Sequence, residues 1–490
     1  MGIRQSLARL IAGAPERFPA RLPQRLLRPV RAVRYDSAQT TDDNRKHWTY
    51  ADGLSAGLSL SPAVRQLLRN RARYEVANNT YAKGIILTLA NDAIGNGPHL
   101  QATGENPALN TAVEAAWADW CDAVRLADKL NTMRQAKATD GEAFAVLHRY
   151  DGLPGPVKLG VRLVEAEQVA TPMAALPVSP YYTDGIEFDD GFEPALYHVL
   201  KAHPTEIGFS AYQAADKLPA RYVLHWFRQD RPGQFRGAPE IAPALPLFAQ
   251  LRRYTLAVIA AAETAADFAA VIQTQAPANG EDAADAIPFD TVELEARMAT
   301  VLPAGATLGQ IRAEQPATTY REFKAEILNE IARVLNMPLN IALCNSSAYN
   351  YASGRLDHQT YDRSIAVDRD TCETVVLTKC WAEWYAEARR VIPALRGAPA
   401  ALPHQWMWQS RPHIDPSKEA TGQETRLRNH TTTLAAEYAQ SGKDWEAEIR
   451  QAARELALMK DLGLPAPGAA PAATTPPDES DTPPGQEPPQ

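Results

Sequence analysis

The feature that most constrains this chain is a stretch after Pro243 and Pro246 that runs without a helix breaker to Ile272. It carries Ala257, Ala260, Ala261, Ala262, Ala265, Ala266, Ala269 and Ala270. Alanine loses no side-chain entropy in a helix and adds little girth. The stretch therefore predicts a slim rod, ~40 Å long at 1.5 Å per residue. Glu263 and Asp267 interrupt the apolar run and argue against a membrane span. Slim rods suit close side-by-side packing of many helices. The same composition suits a buried core helix of one domain.

The remainder must supply the context for that rod. A chain of 490 residues allows about three or four folded units, and its 45% apolar share can fill a sizeable core. Cys121, Cys344, Cys372 and Cys380 are too few and too scattered for a disulfide framework, and none forms a C-x-x-C zinc pair. No apolar run reaches the roughly 18 residues of a bilayer span. The net charge of −8 excludes a polycationic nucleic-acid coat. Residues 1–34 differ, with eight arginines and a single acid, Glu16. They fit a mobile basic arm (1–45) drawn to polyanions, although a transit peptide or a Gly2/Ser6 myristoylation pattern has similar features.

Periodicity divides the chain. A helix is expected after Ser61-Pro62, with Val64, Leu67, Leu68, Ala72, Val76 and Ala77 as its apolar recurrence. Further helices are expected at about 81–93, 107–122 (with Trp117 and Trp120) and 129–138. Gly95-Asn96-Gly97-Pro98 stops the second. Residues 140–236 read as β-rich, with strands at 143–149, 158–164, 196–202 and 221–227 and an exposed loop at 172–190. Beyond the rod, 273–317 is polar, with a short helix near 291–300 and a β-like stretch at 306–312. Helices follow at 320–335, 354–390, 417–441 and 444–462. The last segment, 464–490, holds nine prolines and no aromatic residue, and reads as a disordered tail.

Chemistry is scarce. There is no Walker loop, no G-x-S-x-G elbow and no H-E-x-x-H helix, and Gly95-x-Gly97 lacks a third glycine. His198 and His203 make a weak metal pattern. Asp140-Gly141-Glu142 with His148 downstream is the best acid/base candidate, and defines one alternative, a cytoplasmic hydrolase. Carboxylates beside a glycine more often cap a turn between helix and strand. Asn-x-Ser/Thr triplets at Asn78, Asn345 and Asn429 matter only in a secreted chain.

Six segments, in order, resemble a known family. They are Tyr35-Asp36-Ser37-Ala38 with Trp48; Arg71-Ala72-Arg73, Asn78 to Gly84 and Gly95-Asn96-Gly97; Asp140 to Phe144; Arg231 to Pro239; Asn350-Tyr351-Ala352-Ser353-Gly354-Arg355; and Asp415 to Ala420. Together, over about 35–460, they are similar to the lambda-type portal proteins of tailed bacteriophages. Ala352 and Gly354 depart from that family's Asn-Tyr-Ser-Ser-x-Arg stretch.

The resemblance implies an α+β, mainly helical portal fold with wing, stem, clip and crown, the β-rich part lying in the wing. It places the wing at 46–238, a stem helix at 239–272, the clip at 273–317, a second stem helix at 318–338, a tunnel loop and long wing helix at 339–412, and the crown at 413–463. It implies a homo-oligomeric ring, a dodecamer in most relatives, at the capsid vertex of the virion. Sequence-independent double-stranded DNA would pass through it. Terminase large subunit, major capsid and scaffold proteins, and head-completion or tail proteins would dock, with assembly in host cytoplasm and no membrane. No catalysis, cofactor or metal is implied. Asn345, Ser346, Ser347, Tyr349, Asn350, Tyr351 and Arg355 would form the tunnel loop. Small hydrogen-bonding groups suit contact with any sequence, since strong phosphate attraction would stall movement.

Overall fold

The computed structural model describes residues 46–172, 181–206, 215–266, 270–274, 306–310, 317–347, 349–409 and 416–464. The expected arm at 1–45, the short helix near 291–300 and all but Leu464 of the proline-rich tail lie outside the described residues. The chain divides at Ser55/Ala56 into two units. In the first, residues 46–50 form a turn in which Ala51 N donates to Trp48 O and the Thr49 hydroxyl donates to Lys46 O.

The second unit is α+β and mainly helical. After a single turn at Ala56–Ser59 come α1 (Pro62–Asn78) and α2 (Thr80–Ile94). Pro62 opens α1 as its fixed φ favours, but the Ser61 side chain makes no capping bond. Asn79 does cap α2, accepting from Tyr81 N and Ala82 N. Strand β1 (His99–Ala102), α3 (Pro107–Val124) and α4 (Leu126–Asp140) follow.

The burial of α1 follows the expected face at Ala72 and Val76 but departs from it in the first turns. Arg65, Arg69, Ala72 and Glu75 point inward, while Val64 and Leu67 are exposed. Buried acids wait for those arginines, so charge pairing overrides hydrophobic periodicity here.

Next come β2 (Glu142–Arg149), β3 (Leu159–Val164), β4 (Tyr182–Thr183), β5 (Ile186–Phe188), β6 (Pro194–Leu200), β7 (Ala215–Pro219) and β8 (Val223–Phe227). They form two antiparallel sheets, β3-β2-β8 and β4-β5-β6-β7. The central strand β2 is buried on both faces, as its alternation allows. Ala143, Ala145 and Leu147 face the helices, whereas Phe144 and Val146 join Val164, Ile186, Tyr197 and Val223 beneath the second sheet. The loop expected at 172–190 is therefore partly structural: Ile186 and Phe188 are buried strand residues.

The rod is α5 (Leu245–Ala266). It does not reach Ile272, because β9 (Ala270–Thr274) pairs with β10 (Ala306–Gln310) in register Leu308↔Ile272. β-Branched Val271 and Ile272 favour the strand that replaces the helix there. The returning helix α6 (Ala317–Arg333) meets α5 through Tyr254, Tyr320 and Phe323.

Then come α7 (Leu339–Leu343), α8 (Tyr351–Cys372), a π turn at Glu373–Leu377 and α9 (Thr378–Val391). Strand β11 (His404–Met407) pairs with β1, a pairing the sequence reading missed. Trp117, Trp120, Trp381, Trp384 and Trp406 form one aromatic cluster, with ring centroids 4.8 to 6.4 Å apart in the contacting pairs. It joins α3, α9 and β11.

The terminal helices are α10 (Pro416–Arg428), α11 (Leu434–Gln440) and α12 (Trp445–Asp461). The expected single helix at 417–441 is thus two. His430 adopts φ 56°, and Thr433 recaps the chain by accepting from Ala436 N. The intervening Thr431-Thr432-Thr433 is β-branched and a poor continuation.

Candidate functional site

Asn345, Ser346, Ser347, Tyr349 and Asn350 lie on the connection between α7 and α8, and Tyr351 and Arg355 lie in the first turns of α8. Cys344 ends α7 in the left-handed region at φ 52°. Asn345 Oδ1 then accepts from Ser347 N at 2.9 Å, and Tyr349 N donates to Ser346 O at 3.1 Å, making a tight turn. Buried Asn340 supports it from below, donating through Nδ2 to Ser346 Oγ at 3.3 Å and to His358 Nε2 at 3.0 Å. Asn350 O accepts from Gly354 N at the start of α8, whose first residue is Tyr351. Asn345, Ser346, Ser347, Asn350 and Arg355 are exposed, and Tyr349 is half-buried. Burial, with Asp357 nearby, pushes the Tyr349 hydroxyl up, so it stays neutral. From 344 to 350 the connection carries no Asp, Glu, Lys, Arg or His, only amides, hydroxyls, a thiol and one methyl. Such a surface donates and accepts hydrogen bonds without gripping a charge.

A second constellation holds the rod in place. Glu142 is buried at the head of β2. Its oxygens accept from Arg236 Nη2 at 2.8 Å, Arg236 Nε at 2.8 and 3.1 Å, Gly237 N at 3.2 Å, and Arg69. His225 Nε2 lies 3.1 Å away. Burial alone would raise this carboxyl. Arg236, the His225 hydrogen bond and Arg69 outweigh it and hold Glu142 well below the usual carboxylate range. Arg236 also donates to the carbonyls of Val169, Asp184 and Ala166.

A few residues further along the same loop, Glu240 accepts from Arg134 at 2.9 Å. Arg134 and Lys137 also pair with Asp368 of α8. Residues 236–240 enter α5 through a short 3-10 turn at Ala242–Ala244. Two buried ionic sites therefore fix where the rod begins.

Glycines permit this approach. A Cβ on Gly237 would lie 2.0 Å from Gly141 O, and one on Gly141, at φ 91°, would lie 2.3 Å from Ala238 C. Sequence reasoning missed Arg65, Arg69, Arg134, Lys137 and Glu240. Its available signal was Arg65, Arg69 and Arg73 four apart, a charged stripe opposite Val64 and Leu67.

The acid/base alternative does not survive this geometry. Glu142 and His148 lie six residues apart on one strand, ~20 Å at 3.3 Å per residue. Asp140 is bound bidentately by Arg73 at 2.7 and 2.9 Å. Asp140, Glu142 and His148 make no catalytic group. His198 and His203 also part company, since His198 bonds Glu187 at 2.5 Å. His203 gathers with Glu165 and Glu167, the one such donor cluster among the described residues. Arg73 lies 3.0 Å from Glu167 and 3.6 Å from Glu165, so a guanidinium already stands beside these carboxylates.

Comparison with known proteins agrees with the resemblance. The family described as phage portal protein, lambda family, matches residues 46–369. A probable portal protein of Halomonas phage phiHAP-1 is 24% identical over 491 residues, covering 93% of this chain and 91% of that protein. Among solved structures, a chain from the neck of a native gene transfer agent particle, computed with C12 symmetry, has 13% identity and a TM-score of 0.43 over 83% of this chain and 95% of that one. An HK97-family phage portal protein from Corynebacterium diphtheriae has 11% identity and a TM-score of 0.26, over 74% and 96%. With two thirds of its length matched, the chain belongs to the lambda family of phage portal proteins.

Proposed function

We propose that copies of this portal protein close into a ring at the capsid vertex, a dodecamer by family analogy, with α5 and α6 as the wall of a DNA channel. The observation that carries this reading is the outer surface of the two rods. Leu256 and Ile259 of α5 and Phe323 of α6 are half to mostly exposed. Leu256 and Ile259, one turn apart on α5, form an exposed apolar pair that calls for a neighbour. In this reading 46–238 is the wing, the β9–β10 hairpin belongs to the clip, and the helices after 413 form the crown. The neutral turn at 344–350, with Tyr351 and Arg355 behind it, is the tunnel loop that touches DNA of any sequence. The chain is a conduit without catalysis. Terminase large subunit supplies the energy of packaging, head-completion or tail proteins dock afterwards, and capsid and scaffold proteins surround the wing during assembly in host cytoplasm.

The test has two parts. Purified protein imaged by negative stain is expected to show rings with a central hole. Shortening 343–353 is expected to leave those rings intact while abolishing DNA packaging or retention in a phage complementation assay. Normal packaging with the shortened loop would overturn the loop's role, and a strictly monomeric protein would overturn the ring.

A further inference from the structure

The pair of rods has two unlike faces. On one, Gln250 and Tyr254 of α5 and Phe323 and Ile327 of α6 line an open groove of about 400 Å³. Tyr254 packs against Tyr320 and Phe323, and Gln250 shares the groove with Ile327, so the two helices run antiparallel. Each side of the groove is a row of residues four apart. On the other face, Arg253, Leu256 and Ile259 make a row of residues three apart, all exposed. At 100° per residue, Leu256 and Ile259 lie roughly opposite Gln250 and Tyr254 on α5.

Charge distinguishes the two faces as well. Glu326 and Glu330 are exposed and stand one turn on from Phe323 and Ile327, edging the groove at its end away from β9–β10. Arg253 stands one turn before Leu256, at the same end of its own row. Read toward β9–β10, each face therefore presents charge and then apolar side chains, and the signs are opposite. Neighbouring cations are engaged elsewhere: Arg252 pairs with Glu75 at 3.2 Å, and Lys324 lies 4.8 Å from the centre of the Tyr81 ring. Glu263, one turn beyond Ile259, falls past the groove when Leu256 and Ile259 occupy it.

We propose that the Leu256–Ile259 ridge of one copy seats in the Tyr254–Phe323 groove of the next, with Arg253 reaching the partner's Glu326 and Glu330. A ring gives each copy two different neighbours, so a ridge on one face and a groove on the opposite face close the circle head to tail. A ridge of residues three apart in a groove of residues four apart crosses helices at about 20°. The rods then lean instead of standing upright. That lean takes up the ~8 Å by which the ridge lies nearer to β9–β10 than the groove does, at 1.5 Å per residue. The inference rests on the ring reading above and names the surface that receives the exposed pair.

Cysteine crosslinking across the seam tests it. In a full-length Cys344→Ser background, which removes the exposed thiol, the double variant Ile259→Cys, Phe323→Cys is expected to give a ladder of covalent multimers on mild oxidation. Either single variant is expected to stay monomeric on a non-reducing gel. Rings of the double variant that yield no ladder overturn the seam and leave the ring reading standing. A complete dimer from either single variant overturns the head-to-tail order. A parent protein that forms no rings by negative stain overturns the ring reading and this inference with it.

Charge reversal leaves the apolar residues in place, and it decides the question if the double-cysteine protein does not assemble. Arg253→Glu is expected to raise the concentration at which rings form in native mass spectrometry by about tenfold or more. Glu326→Arg with Glu330→Arg is expected to do the same, and all three substitutions together are expected to restore assembly near the parent's concentration. Ring formation that is unchanged by the separate reversals, or that does not recover when they are combined, overturns the pairing across the seam.

Discussion

Glu142 shows what a single side chain does in this molecule. It neutralises Arg69 and Arg236, and both are buried with it. Removing one partner of such a group leaves uncompensated charge in the interior. Glu142→Gln keeps the shape and loses the charge, so it is expected to cost about 3–5 kcal/mol in urea unfolding followed by tryptophan fluorescence. A loss under about 1 kcal/mol would show that the site is not the anchor its geometry implies. The same cluster sets an acid response. His225 is stacked between Phe144 and Phe227, and burial pushes its pKa below the ordinary 6.5 despite the Glu142 hydrogen bond. As pH falls through 6.5 the unfolded chain takes up a proton that the folded site refuses, so stability declines from there. Glu142, held low, adds a second loss once pH drops below 4.5, the range in which its unfolded counterpart protonates. Each group contributes a slope of at most ~1.4 kcal/mol per pH unit. Unfolding free energy measured from pH 8 to 4 should fall in these two stages, and His225→Phe should flatten the first. A profile level between pH 6.5 and 5 in the parent protein would contradict the assignment.

At the scale of elements, the close crossing of Gly141 and Gly237 fixes the turn that feeds α5. Gly237→Ala forces a Cβ against a backbone carbonyl, and overpacking of that kind costs about 1–3 kcal/mol. Thermal unfolding should show it, whereas Gly155→Ala has open space around it and is strained only by its φ of 80°. Equal losses at the two positions would indicate that the crossing carries no special constraint. These elements also show what a sequence can disclose. Helices α2 and α3 were legible because Ile85, Ile86, Leu89, Trp117 and Trp120 are apolar and buried at helical spacing. Helix α1 was legible as a helix, but the inward turn of Arg65 and Arg69 was not, because their partners, Asp184 and Glu142, lie far along the chain. The short strands β1, β5 and β11 carry three or four residues each, too few for alternation to register. The rod was overextended because alanine propensity continues past Ala266, while the strand that follows is decided by a partner at 306–310. The candidate loop was readable through its resemblance. The anchor beneath the rod was not, since the four-residue spacing of Arg65, Arg69 and Arg73 does not name their acidic partners, which lie far along the chain.

At the scale of the whole molecule, the exposed pair on α5 separates what a single chain needs from what an assembly needs. Leu256 is 60% exposed and Ile259 49%, so neither contributes much to the interior of the isolated subunit. Substitutions at such positions ordinarily shift stability by no more than about 0.5 kcal/mol. The anchors at Glu142 and Glu240 still hold the start of α5, so the rod should keep its direction when its surface changes. Leu256→Ser with Ile259→Ser is therefore expected to leave the far-ultraviolet circular dichroism and the melting temperature of the subunit unchanged. The same pair is expected to remove the large species seen by native mass spectrometry or negative stain, because serine forfeits the apolar area that a neighbouring rod would cover. If the double variant melts well below the parent, the pair belongs to the subunit core. If rings persist at the parent's concentration dependence, the rods are not the wall. Loss of rings with the fold intact is the result that ties the slender alanine-rich helix to assembly.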